Sequence, residues 1–133
     1  MLGWEIQVWR QKDGGASAAT LDTAALDAPH GTLLAAWLSG VPAILPFWEM
    51  ARAAGEAIEL QSHGYPSRYT AKAKHLLPRL PDMMAGAWEL FHPLDDAAAR
   101  ECVPEEWLVV DAWALTGISF LTSKTAAILL IHF

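Results

Sequence analysis

Cysteine is nearly missing from this chain: Cys102 is the single one in 133 residues. An internal disulfide is thereby excluded, as is a metal cluster built on thiolates, and Cys102 reads as a small buried hydrophobe. There is no glycine-rich phosphate loop and no GxSxG elbow, so neither nucleotide hydrolysis nor hydrolase chemistry of those types is indicated. The five histidines, His30, His63, His75, His92 and His132, form no HxH or HExxH pattern, and neither a metal nor another cofactor is expected. Charge is also scarce. Charged residues make up 18% and apolar residues 53%, a balance that excludes disorder. Fifteen acidic residues against nine basic ones give a net charge of −6. A general nucleic-acid binder needs the opposite sign, whereas a cytoplasmic protein, or one whose partner is basic, fits.

What is present is apolar and rich in tryptophan. The length is that of one domain, here 1–133, able to bury one core without staples. Seven tryptophans, Trp4, Trp9, Trp37, Trp48, Trp88, Trp107 and Trp113, are expected mostly in that core, with one or two on a binding surface as anchors. The opening MLGWEIQVWRQK has neither a basic leader nor a long apolar run, so no secretory leader is expected. Residues 112–133 are long enough to span a bilayer. Lys124 near their middle would cost about 2.5–3.5 kcal/mol there, and buried core elements are the better reading.

Alternation of Trp4, Ile6 and Val8 with Glu5, Gln7 and Trp9 predicts a strand over 4–10. The Gly-, Ala- and Asp-rich stretch 12–30 reads as a flexible loop. Residues 31–39 (GTLLAAWLS) read as a helix capped by Thr32, ended by Gly40 and Pro42. Pro46 suits the first turn of a second helix, with Gly55 as its stop. A short strand follows at 57–61, then a turn at 63–69. Thr70 reads as the cap of a third helix carrying Lys72, Lys74 and His75, closed by Pro78 and Pro81. Residues 83–91 are divided between strand and loop. Asp95 and Asp96 open a short helix, and 107–115 (WLVVDAWAL) is the strongest strand signal. Beyond it, 118–121 and 126–133 read as strands around a turn at 122–124, or as a helix over 123–132. Strands at both ends with three to four short helices between them predict an α+β domain with a mostly antiparallel sheet, its first and last strands paired.

Two clusters carry the candidate chemistry. Asp95, Asp96, Glu101, Glu105 and Glu106 read either as caps and a solvated acidic face or as a surface for a basic partner. The stretch ELQSHGYPSRYTAKAKHLLPRL (59–80) holds Arg68, Lys72, Lys74 and Arg79, with Arg68, Lys72 and Arg79 on one broad face if it is helical. Its His63, Tyr65, Arg68 and Tyr69 read either as a packed turn or as an anion or ligand site. A third arrangement, a small enzyme assembled from scattered His63, His75, Arg68 and Asp111, matches no motif.

The segments GWEIQVWRQ (3–11), GYPSRYTAKAKHLLPRL (64–80) and PEEWLVVDAW (104–113) resemble small uncharacterised bacterial proteins, some of which look like immunity proteins of contact-dependent or secreted interbacterial toxin systems. They cover about a quarter of the chain, bring no functional residue with them, and leave out the stretch from Ala114 onward. The resemblance implies a non-enzymatic protein that binds and neutralises a cognate toxin, through its C-terminal toxin domain. A nuclease suits an acidic inhibitor. On that view the acidic residues form part of the binding face. A ligand-binding domain using the 63–68 turn is the alternative, and the apolar content makes a homodimer a candidate assembly.

Overall fold

The computed structural model describes residues 3–11 and 31–115. The expectations for the loop at 12–30 and for 116–133 lie outside these residues. Six strands, β1 (Gly3–Gln11), β2 (Gly31–Ser39), β3 (Ala57–Gln61), β4 (Ser67–Lys72), β5 (Glu89–His92) and β6 (Trp107–Leu115), form one sheet in the order β3-β4-β6-β1-β2-β5. Every neighbouring pair is antiparallel. The helices are α1 (Leu45–Arg52), α2 (Ala73–Leu76), α3 (Leu80–Ala85) and α4 (Asp96–Glu101), with 3₁₀ turns at Val41–Ile44 and Leu77–Arg79. The expected α+β class and mostly antiparallel sheet are thus present, and the first and last described strands pair at its centre.

Register divides the sheet into two faces, because successive strand residues point to opposite sides. Trp4, Ile6 and Val8 lie opposite Ser39, Trp37 and Ala35 on β2, and opposite Ala114, Ala112 and Val110 on β6. Tyr69 and Ala71 of β4 join this face through Val110 and Leu108. Helical residues complete one apolar cluster on it: Ile44, Phe47, Met50, Ala73, Leu76 and Leu80. The short helices follow from proline, which ends one piece and begins the next. Pro46, Pro78 and Pro81 each stand in the first turn of a new segment, where a missing N–H costs nothing. Phe47 stacks on Tyr69 with ring centroids 5.6 Å apart, and the Trp48 Nε1–H donates to the Tyr69 hydroxyl at 2.7 Å; these contacts seat α1 on β4.

One expected helix is replaced by strand, and another begins later than expected. Residues 31–39 form β2, not a helix capped by Thr32. Leu34 to Ser39 are all buried, so both faces of β2 are covered and its apolar run shows no alternation. An extra residue between the partners of Val8 and Trp9 makes a bulge at Leu34, whose carbonyl accepts from the Asp95 N–H at 2.9 Å. Residues 67–72 form β4, and helix begins only at Ala73. Arg68, Lys72 and Arg79 therefore share no helix face, and Thr70 donates its hydroxyl to the Leu108 carbonyl instead of capping. The ambiguous 83–91 stretch resolves into the end of α3 and the start of β5. Among the described residues no helix is long and apolar enough to cross a membrane.

Candidate functional site

The turn expected to carry chemistry is split by strand parity. Arg68 and Tyr69 are adjacent on β4 and point to opposite faces. Arg68 is fully buried, and its guanidinium clasps Asp111 on β6 through Nε–Oδ1 at 2.7 Å and Nη2–Oδ2 at 3.0 Å. Tyr69 is buried under α1, and burial, with Glu59 beside it, pushes its phenol up to about 12. Only His63 and Tyr65 remain on the surface, their rings stacked with centroids 6.2 Å apart. The cis Tyr65–Pro66 bond and Gly64, at φ +85, turn the chain tightly. The Gly64 carbonyl accepts from Ala114 N–H at 2.7 Å, and a side chain on Gly64 would meet the Ala114 Cβ at 3.2 Å. The four residues do not converge on one point. His75 lies on α2, away from the Arg68–Asp111 pair in the sheet interior.

The acidic residues are mostly occupied within the fold. Asp95 caps α4, its Oδ1 accepting from Ala98 N–H at 3.0 Å. Glu106 is buried, accepts from Arg10 Nε at 2.9 Å and from Val103 N–H at 2.8 Å, and ties β1 to the entrance of β6. Glu106, expected on a binding face, is thus buried and engaged within the fold. The hydrogen bond to Glu106 raises the Arg10 pKa. Burial, with Glu106 nearby, pushes the Cys102 thiol up. Glu101 reaches Arg10 at 3.5 Å on the surface. Glu105 is held by Lys72 at 2.7 Å and by Lys74, which keep its carboxyl down at about 2. Asp96 is exposed in the first turn of α4.

The second sheet face holds a polar belt that the sequence reading did not assemble. Gln61, Arg68, Asp111 and Gln7 fall in one cross-strand row over β3, β4, β6 and β1. Along β1, Trp9 Nε1–H donates to Gln7 Oε1 at 3.2 Å and Gln7 Nε2–H donates to Glu5 Oε2 at 2.6 Å. Glu5, Arg68 and Asp111 are all buried. A one-residue slip of β4 would move Arg68 into the apolar face, so this belt locks the register. The alternating pattern Arg68, Thr70, Lys72 was its signal, and it resembles helix spacing at Arg68 and Lys72.

The feature turned most plainly outward is Trp88, just before β5. It is 61% exposed, the most of any large hydrophobic side chain among the described residues. Its backbone N–H donates to the Leu38 carbonyl at 2.8 Å. The six-membered ring lies where a Cβ on Gly3 would come within 2.9 Å, and the indole within 3.3 Å of one on Gly40. Two glycines thus make the seat on which one side of the ring rests. Beside it runs an open cleft of ≈ 390 Å³, walled by Pro42, Pro46 and Met83 with Asp82 at its rim. The buried Ser39 hydroxyl also lines it and has no hydrogen-bond partner among the described residues. The adjoining cleft shares Pro46, Asp82 and Met83 and continues to Glu49 and Arg79. Leu90, two residues on, is 47% exposed. Sequence reasoning allowed one or two surface tryptophans and had no means to say which, because an indole suits either side of a fold.

Among the described residues no group of three His, Cys, Asp or Glu side chains is placed to hold a metal ion. No family model matches the chain, and no curated protein or solved structure matches it either.

Proposed function

We propose that this chain is a non-enzymatic binding protein of the immunity type, which occupies a cognate bacterial toxin domain in the cytoplasm and blocks it. The observation that carries this reading is the exposed Trp88 on its seat of Gly3 and Gly40. An indole held on one side and open on the other is already ordered, so a partner that covers it loses little conformational freedom in doing so. Large aromatic side chains beside a concave surface are the usual centres of protein–protein affinity. The net charge of −6 adds long-range attraction for a basic partner, such as a toxin whose active site holds phosphates.

The residues assigned to binding change with the geometry. Glu106 and Asp95 serve the fold, Glu105 is neutralised by two lysines, and the docking surface centres on Trp88 with Leu90 and the cleft beside them. The test is co-expression with the product of the adjacent upstream gene. The reading expects restored growth and a one-to-one complex that survives gel filtration. Failure of both, with the chain folded, would overturn it.

A further inference from the structure

The two clefts beside Trp88 join into one groove. Pro46, Asp82 and Met83 wall both, so the groove runs between α1 and α3. Trp88 stands at one end, and Glu49 and Arg79 at the other. The two parts measure ≈ 390 and ≈ 340 Å³, at the low end of the roughly 300–1,000 Å³ of small-ligand sites. Each part therefore has room for one long side chain and not for a folded element. Pro42, Pro46, Met83 and the open face of Trp88 make the walls apolar. An occupant needs an apolar body to match them.

The polar groups in the lining select the end of that body. Asp82 belongs to both parts, is exposed, and has no ion-pair partner among the described residues. Glu49 is open in the same way at the far end. Arg79, the one cation in the lining, is already held by Glu56 at 2.8 Å. Glu59, Glu89 and Asp96 are also exposed, but they line neither part. Position in a concave, apolar wall singles out Asp82; the number of acids nearby does not. Ser39 adds an independent observation. Its buried hydroxyl lines the cleft and has no hydrogen-bond partner among the described residues. The other buried side-chain atoms without a partner there, on Trp4, Trp37 and His92, line neither part.

We infer that the groove is a receptor for a single arginine side chain of the protein partner. A guanidinium is planar, stacks on an indole face, and meets a carboxylate with two parallel N–H groups. Its apolar stem lies along Pro42, Pro46 and Met83, while the head reaches Trp88 and Asp82. It donates hydrogen bonds and accepts none, which suits the unfilled Ser39 hydroxyl. A purely apolar side chain would cover Asp82 without pairing it, and an acidic one would meet Asp82 and Glu49. This names what the docking surface above receives, and it rests on that reading for the existence of a partner.

The test uses the full chain and a tripeptide with arginine between two glycines, blocked at both ends. In matched tripeptides citrulline, lysine or norleucine replaces the arginine; citrulline keeps its shape and loses its charge. Binding is read by NMR from the Trp88 indole N–H and the Met83 methyl group. The inference expects saturable shifts of both with the arginine peptide, and at least about threefold weaker binding of the citrulline and norleucine peptides. Lysine, a point charge without the planar fork, falls between them. Asp82→Asn removes the preference for arginine over citrulline and leaves the indole in place. Trp88→Ala, followed at Met83, weakens the arginine peptide by at least about threefold. Glu59→Gln, which neutralises an equally exposed carboxylate outside the groove, changes nothing. Equal binding of the citrulline or norleucine peptide overturns the inference, as does an equal loss on Glu59→Gln. Shifts centred away from the groove, or no saturable shift with arginine, also overturn it. Failure of the two readings is separable. If the product of the adjacent upstream gene binds Asp82→Asn as tightly as wild type, the groove is contradicted and the function stands. If the arginine peptide docks and that product does not bind, the groove stands and the function is left without its partner.

Discussion

Residues 63–69 and residues 88–92 are built from similar materials, and the fold uses them in opposite ways. The first stretch has two tyrosines, a histidine and an arginine beside a Gly and a Pro. Strand β4 draws Arg68 into the polar belt and Tyr69 beneath α1, leaving His63 and Tyr65 outside. The second has a tryptophan, a leucine, a phenylalanine and a histidine beside a glutamate. Strand β5 lies at the sheet edge and leaves Trp88 and Leu90 in solvent. Residue type therefore says little about which stretch keeps its large side chains in solvent. Position in the sheet decides it: β4 is interior and covered on both faces, and β5 is an edge.

That contrast breaks first at Arg68. Arg68→Ala leaves Asp111 buried without its bidentate partner and should cost about 3–5 kcal/mol in urea unfolding, a large part of the about 5–15 kcal/mol that holds a typical domain together. Replacing both members of the pair by apolar residues should recover much of that loss. A loss below about 1 kcal/mol for Arg68→Ala would mean that the pair behaves as if exposed.

Trp88→Ala is the opposing case. With most of the indole already in water, its stability cost should not exceed about 2 kcal/mol, while its effect on partner binding is the larger of the two. Asp95→Ala comes next, removing the α4 cap at about 1 kcal/mol; thermal unfolding should register it. Glu105→Gln should be smallest. Lys72 and Lys74 hold the Glu105 carboxyl at about 2, below its usual 4.5. Its stabilisation is therefore full above pH 4.5 and fades as the pH falls toward 2. Wild type and Glu105→Gln should differ slightly at pH 6, converge near pH 2, and differ less in high salt.

Much of the fold was legible because its signals are local. The alternation of Trp4, Ile6 and Val8 foretold β1, WLVVDAWAL foretold β6, and the Asp95 cap marked the start of α4. Residues 31–39 were not legible. Leu33, Leu34, Ala35, Ala36 and Leu38 are strong helix formers, and a strand buried on both faces hides its period; pairing with β1 and β5 overrides the local preference. Residues 67–72 failed for a related reason. Arg68 and Lys72 sit four apart, as on a helix, and a charged residue at the centre of a sheet becomes credible only when Asp111, 43 positions away, is placed opposite it. The exposed seat of Trp88 was the least legible part. Trp88 acquires its meaning from Gly3 and Gly40, which are remote in sequence and become its seat only once β1, β2 and β5 are side by side.

The most direct measurement is calorimetric binding of the cognate toxin domain to two variants in parallel, Trp88→Ala and the double change His63→Ala, Tyr65→Ala. Both alter exposed side chains and should leave the fold intact. The account predicts at least about tenfold weaker binding for Trp88→Ala and an unchanged affinity for the double variant. The reverse pattern would contradict it, returning the binding surface to the 63–69 turn.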